Sequence, residues 1–173
     1  MFVKNILDED FINYKRPSMV IEFPNCSFKC DKEYGKPICQ NSSLAAMPSI
    51  EIDVSDIAKR YLNNPITEAI CCIGLEPFDS LWDVLELIRV LRIKYQCNDD
   101  IVIYTGYKEE ELSYIIDVLK KLPNIIIKFG RYIPDQKSHY DDVLGVKLAS
   151  DNQYAKIISC TNYTYEIKSD GSD

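Results

Sequence analysis

Short apolar runs rich in β-branched residues recur along the chain, at Met19 to Phe23, Ala69 to Ile73, Ile101 to Tyr104, Ile125 to Phe129 and, less clearly, Val143 to Leu148. Each has the length of a strand, and most are apolar throughout rather than alternating, as burial on both faces requires. Between them apolar residues return at spacings of three and four: Ile57, Ala58, Tyr61 and Leu62; Leu81, Leu85, Ile88 and Tyr95; Leu112, Ile115, Ile116 and Leu119. That spacing gathers each set on one face of a helix. Asp53 or Ser55 opens the first helix, Ser80 and Asp83 are placed as a capping box for the second, and Pro65 and Pro123 close the first and third.

Apolar strands alternating with amphipathic helices predict an α/β fold with a largely parallel sheet. The 173 residues suffice for one domain spanning 1–173. They fall short of the about 250 that a closed eight-stranded barrel typically takes. The expected architecture is therefore a partial, open (βα)n barrel of about five or six mostly parallel strands, its open side able to admit a large substrate. Residues 1–17 are expected to form an arm or edge element, and Ser169 to Asp173 a frayed tail.

Composition narrows the function. With 46% hydrophobic and 27% charged residues the chain is an ordinary globular one. Its net charge of -7 has the wrong sign for adhesion to nucleic acid or anionic lipid, so neither is an expected partner. No stretch approaches the roughly 18 apolar residues of a membrane span, and Met1 to Asp10 is too acidic for a secretory signal. A cytoplasmic location is expected. Seven cysteines in a reducing compartment do not suggest a disulfide framework, which turns attention to metal binding.

In parallel α/β sheets ligands collect where the carboxyl ends of the strands meet their loops. Those loops are chemically rich here: Cys26-Ser27-Phe28-Lys29-Cys30 and then Cys39; Gly74-Leu75-Glu76-Pro77; Thr105-Gly106-Tyr107; Gly130-Arg131-Tyr132; and Ser150-Asp151-Asn152-Gln153. The opposite ends, such as Asn63 to Thr67 and Leu122 to Asn124, are plain turn chemistry. Three cysteines spaced C-x3-C-x8-C offer three soft thiolates, which suit either zinc completed by another ligand such as His139 or a 4Fe-4S cluster with one iron free of protein ligands. Cys71 and Cys72, inside an apolar run, are expected to be packing residues, with the same default for Cys97 and Cys160.

Taken in order, these segments resemble the radical S-adenosylmethionine superfamily, most closely the small activating enzymes of anaerobic (class III) ribonucleoside-triphosphate reductase. The likeness covers about residues 18 to 158. Cys26, Cys30 and Cys39 correspond to that family's cluster loop, Gly74 to Pro77 to its GGEP segment, Thr105 to Tyr107 to T-G-Y, Gly130 to Tyr132 to G-R-[FY], and Ser150, Asn152 and Gln153 to S-x-N-Q. The resemblance implies Cys26, Cys30 and Cys39 as ligands of a 4Fe-4S cluster. It also implies Gly74, Leu75, Glu76, Pro77, Thr105 and Asn152 as contacts to S-adenosylmethionine. The implied partners are a glycyl radical reductase and an electron donor such as flavodoxin or ferredoxin. Small-molecule relatives such as 7-carboxy-7-deazaguanine synthase share much of this framework, and a zinc-stabilised α/β interaction module is the non-catalytic rival.

The departures are specific. Eight residues, Asp31 to Ile38, separate Cys30 from Cys39 where the family commonly has two; Ile38 stands where an aromatic is usual; and Leu75 replaces the second glycine of GGEP.

Overall fold

The computed structural model describes residues 1–160. The strands are β1 (Phe2–Val3), β2 (Asn5–Asp10), β3 (Ser18–Phe23), β4 (Ile50–Glu51), β5 (Ala69–Gly74), β6 (Asp100–Tyr104), β7 (Ile125–Phe129), β8 (His139–Asp141), β9 (Val146–Leu148) and β10 (Tyr154–Ser159). The helices are α1 (Lys29–Tyr34), α2 (Ser42–Ala46), α3 (Val54–Leu62), α4 (Leu81–Arg89) and α5 (Ser113–Leu119). Six strands make the main sheet in the order β10-β7-β6-β5-β3-β2. The central four are mutually parallel, and an antiparallel strand flanks them at each edge.

The sequence pattern accounts for the parallel core. In β7 every residue is buried, and in β5 the first four are. Alternate side chains form two apolar layers. Met19, Ile21, Phe23, Ile70, Ile103 and Phe129 pack beneath α3, α4 and α5, where Ile57, Tyr61, Leu87, Ile88 and Leu119 supply the facing stripe. At the start of α3 the Asp53 carboxylate accepts from the Ser55 amide at 2.7 Å, as its sequence signal requires. Ser80 flanks α4 without capping it; its hydroxyl instead accepts from Asn25 Nδ2 at 2.9 Å. The expected capping box is thus absent because Ser80 ties the helix to the loop after β3.

The second face of the sheet, lined by Val20, Cys71, Val102 and Ile126, is covered by Tyr14 and by Leu144 and Leu148 around the β8–β9 hairpin. A hydrogen bond of 2.7 Å from the Lys15 amide to the Leu144 carbonyl joins the two covers. Two expectations need correction here. The run Val143 to Leu148 forms not a sheet strand but the second arm of this hairpin, since its valines and leucines pack across the sheet face. The sixth sheet strand is β10, which pairs antiparallel with β7 and whose burial pattern carries no long apolar run. Residues 5–10 do form an edge element, paired to β3. The expected frayed tail, Ser169 to Asp173, lies outside the described residues.

Beyond α4 the helix widens into a π turn over Val90–Lys94. This turn buries Arg92, which donates to the carbonyls of Pro123, Cys97 and Asp99 at 3.1, 2.6 and 2.8 Å. One guanidinium so binds two loops at the amino ends of β6 and β7, away from the reactive loops. Among the described residues no helix is long and apolar enough to cross a membrane.

Candidate metal centre

The loops that follow β3, β5, β6 and β7 converge on a cavity of about 380 Å³. Cys26, Cys30 and Cys39 all line it, together with the Gly74–Glu76 and Thr105–Tyr107 segments. Backbone bonds stitch these loops to one another: the amide of Leu75 to the carbonyl of Phe23 at 3.2 Å, Glu76 to Asn25 at 2.8 Å, and Gly130 to Tyr107 at 3.1 Å. Sheet register thus sets the relative heights of the loops.

Glu76 is the knot of this arrangement. It is 4% exposed. One carboxylate oxygen accepts from Thr105 Oγ1 at 2.7 Å and the Phe78 amide at 3.1 Å, and the other from the Gly106 amide at 2.8 Å. Burial pushes its carboxyl up to about 7, with those three donors pulling the other way. Asp79, one turn on, accepts from the Ser27 amide and from the Tyr107 hydroxyl. The Cys26 loop is therefore fastened to the β6 loop through the Asp79 carboxylate and to the β5 loop through the Glu76 backbone amide, while the Glu76 carboxylate joins the β5 and β6 loops.

The thiols are half-buried. Cys26 Sγ accepts from the Phe28 amide at 3.2 Å, a bond that favours thiolate, yet burial lifts its pKa to about 11. Burial also raises Cys30, whose Sγ lies beside Gly106. A bound metal displaces the protons of the thiols that ligate it. The donor set of three sulfurs on one cavity wall fits an iron-sulfur cluster. Among the described residues no three His, Cys, Asp or Glu side chains converge as a single metal ion requires. A cube spreads its thiolates over separate irons, and three thiols that line one cavity are a donor set it can take. His139, the sequence candidate for a zinc ligand, stands in β8 and does not line the cavity.

Of the other sequence candidates, Gly74, Leu75, Glu76 and Thr105 line the cavity. Thr105 uses its hydroxyl on Glu76 and on the Tyr107 amide. Pro77 is buried as the first residue of the 3-10 turn Pro77–Ser80, and Asn152 is exposed, its amide donating to the Arg131 carbonyl at 2.8 Å. Neither lines the cavity. Gln153 does, with its Oε1 accepting from the Ala149 and Ser150 amides. Cys71 and Cys72 are buried packing residues, Cys97 is partly buried against the core, and Cys160 is exposed, contrary to its packing default.

Two cations have roles the sequence did not give, Lys128, which it did not single out, and Arg131, which it placed only within the Gly130 to Tyr132 segment. Lys128 is 7% exposed, lines the cavity, and donates to the Gly130 carbonyl at 3.0 Å; burial drops its pKa to about 8. Its signal was a single charge inside the apolar run Ile125 to Phe129. Arg131 is 5% exposed and grips Glu111 with two bonds of 2.8 Å, which holds the Glu111 carboxyl down at about 2.

A cavity lined by three half-buried thiols at the carboxyl ends of parallel strands is the kind of site an iron-sulfur protein of the α/β class carries. The model of the 4Fe-4S single cluster domain family matches residues 18–166, and the chain belongs to that family. No curated protein and no solved structure gives a significant match.

Proposed function

We propose that the protein is a radical S-adenosylmethionine enzyme that generates a glycyl radical on an anaerobic ribonucleoside-triphosphate reductase, using electrons from a flavodoxin or ferredoxin. The observation that carries this reading is the meeting of Cys26, Cys30 and Cys39 with the Gly74–Glu76 and Thr105–Tyr107 segments around one cavity. Three thiolates leave one iron of a cube without a protein ligand. The chemistry the cluster supplies when bound is one-electron reduction of S-adenosylmethionine, giving methionine and a 5′-deoxyadenosyl radical able to take a hydrogen atom from a glycine Cα.

The chain's own residues position the loops and line the cavity. Asp79, through its carboxylate, and Glu76, through its backbone amide to the Asn25 carbonyl, hold the cysteine loop, and the Glu76 carboxylate ties the β5 and β6 loops together. Lys128 has no carboxylate within ion-pairing distance among the described residues and presents an ammonium suited to the methionine carboxylate. Ile12 and the residues Val146 to Ala149 line the same cavity.

The test is anaerobic reconstitution with iron and sulfide, then reduction in the presence of S-adenosylmethionine. Formation of 5′-deoxyadenosine is expected, with none from a Cys26, Cys30, Cys39 triple alanine variant. No product from cluster-loaded protein overturns the enzyme reading. Product without a glycyl radical signal on added reductase removes that target and points to a small-molecule substrate, as in 7-carboxy-7-deazaguanine synthase. Purified protein that carries zinc and cannot take up iron and sulfide would make it an interaction module.

A further inference from the structure

The cluster loop of this chain is long, and length costs order: eight residues between Cys30 and Cys39 leave the third thiol with more freedom than a two-residue spacer would. The structure removes that freedom in an identifiable way. Lys29–Tyr34 wind into α1, and Gly35 ends it in the left-handed region, its amide donating to the Asp31 carbonyl at 2.9 Å. The chain then returns through Lys36 and Pro37. At the point of return, Asp31 Oδ1 accepts from two successive amides, Ile38 at 2.8 Å and Cys39 at 2.9 Å. The second of these belongs to the third cysteine itself.

The helix carrying Asp31 is anchored in turn. Glu33 pairs with the buried Arg131 at 3.2 Å, and Lys29 pairs at 3.1 Å with Glu111, the carboxylate that Arg131 also grips. An alternating chain of charges, Lys29, Glu111, Arg131 and Glu33, therefore clamps α1 to the loop after β7 and to the 3-10 turn Glu109–Leu112. Asn41, beyond Cys39, donates to the Gly74 carbonyl at 2.7 Å and pins the far side of the loop.

We propose that Asp31 is the positioning residue for the third cluster ligand: its carboxylate folds the extended spacer back so that Cys39 faces the cavity with Cys26 and Cys30. The proposal rests on the reading of Cys39 as a ligand. Outer partners that orient metal ligands typically cost about tenfold to a hundredfold in metal affinity when removed, and Asp31→Ala is expected to lose iron on that scale.

The experiment compares wild type, Asp31→Ala, Asp31→Asn and Cys39→Ala after anaerobic reconstitution. Iron and sulfide per chain are measured after competition with a chelator, and amide hydrogen exchange is followed by NMR on the metal-free proteins. Asp31→Asn keeps an oxygen that accepts both amides and is expected to hold its cluster as wild type does, whereas Asp31→Ala and Cys39→Ala lose it. In metal-free wild type and Asp31→Asn the Ile38 and Cys39 amides are expected to exchange slowly, and in Asp31→Ala quickly. If Asp31→Ala retains iron while Cys39→Ala loses it, Asp31 does not position the ligand and the proposal fails alone. Wild-type iron retention by Cys39→Ala removes the third ligand and the proposal with it. Fast exchange at both amides in folded metal-free wild type also refutes the positioning role, and does so even where Asp31→Ala fails to fold.

Discussion

Gly74→Ala probes the junction on which the cavity is built. Gly74 ends β5 with φ of 101°, directly opposite Phe23 of β3. A Cβ there would stand 2.6 Å from the Phe23 amide nitrogen and 2.9 Å from its carbonyl oxygen. The first of these is roughly 0.8 Å inside ordinary contact at 3.4 Å. Nothing at the end of a flexible side chain can yield, because both atoms are backbone and β3 is paired on each side, to β2 and to β5. The left-handed conformation costs an L-residue about 1–2 kcal/mol, and forcing apart packed backbone about 1–3 kcal/mol more. The expected loss is therefore about 2–5 kcal/mol. In urea, where small domains unfold with slopes of about 1–3 kcal/mol per molar, the midpoint should fall by about 0.7 M or more. The assay is equilibrium urea unfolding of metal-free, reduced protein, followed by far-UV circular dichroism, since Trp82 is 82% exposed and a poor reporter. Gly35→Ala is the control: φ is 75°, and nothing lies within 4 Å of the added carbon. It carries the conformational cost without the clash. Should the two variants lose the same stability, the argument from the β3–β5 contact is wrong.

The Arg131 clamp predicts an acid window. The folded pKa of Glu111 lies at about 2, below its ordinary 4.5, so its stabilisation is present above 4.5 and disappears as pH falls toward 2. Glu111→Gln should be less stable than wild type at pH 7 by an amount that holds to about 4.5 and narrows below it; urea midpoints at pH 7, 5 and 3 that keep a constant gap would contradict this. Leu87 of α4 is 0% exposed under the main sheet, and Leu87→Ala should cost about 2–5 kcal/mol, whereas Trp82→Ala, on the exposed side of the same helix, should stay within about 0.5 kcal/mol in the same unfolding assay.

Much of the frame was legible in the linear pattern. The apolar runs at Met19, Ala69, Ile101 and Ile125 are the four parallel strands, and the stripes containing Ile57, Ile88 and Ile116 face the core from α3, α4 and α5. This legibility has a physical source: a strand buried on both faces and a helix buried on one leave periodicities that need no partner to be recognised. Antiparallel β10 escaped because residues 154–159 are largely exposed or half-buried, so they carry little apolar signal. The run Val143 to Leu148 reads as a sheet strand for the opposite reason, since apolar residues that cover a sheet face look the same in sequence as residues within the sheet.

The site divides along the same line. The sequence by itself determined the three thiols, the acid and glycine of the β5 loop and their common location at strand carboxyl ends, because residue type and chain order suffice for those. Tertiary structure alone decided that Glu76 spends both oxygens on the β6 loop and Phe78, that Lys128 turns into the cavity, that Asn152 stays outside it, and that Asp31 folds an eight-residue spacer back onto Cys39. Those facts depend on hydrogen bonds and ion pairs between residues tens of positions apart, or on the path of a loop with no periodicity. Such pairings exist only once the sheet has set the height of each loop.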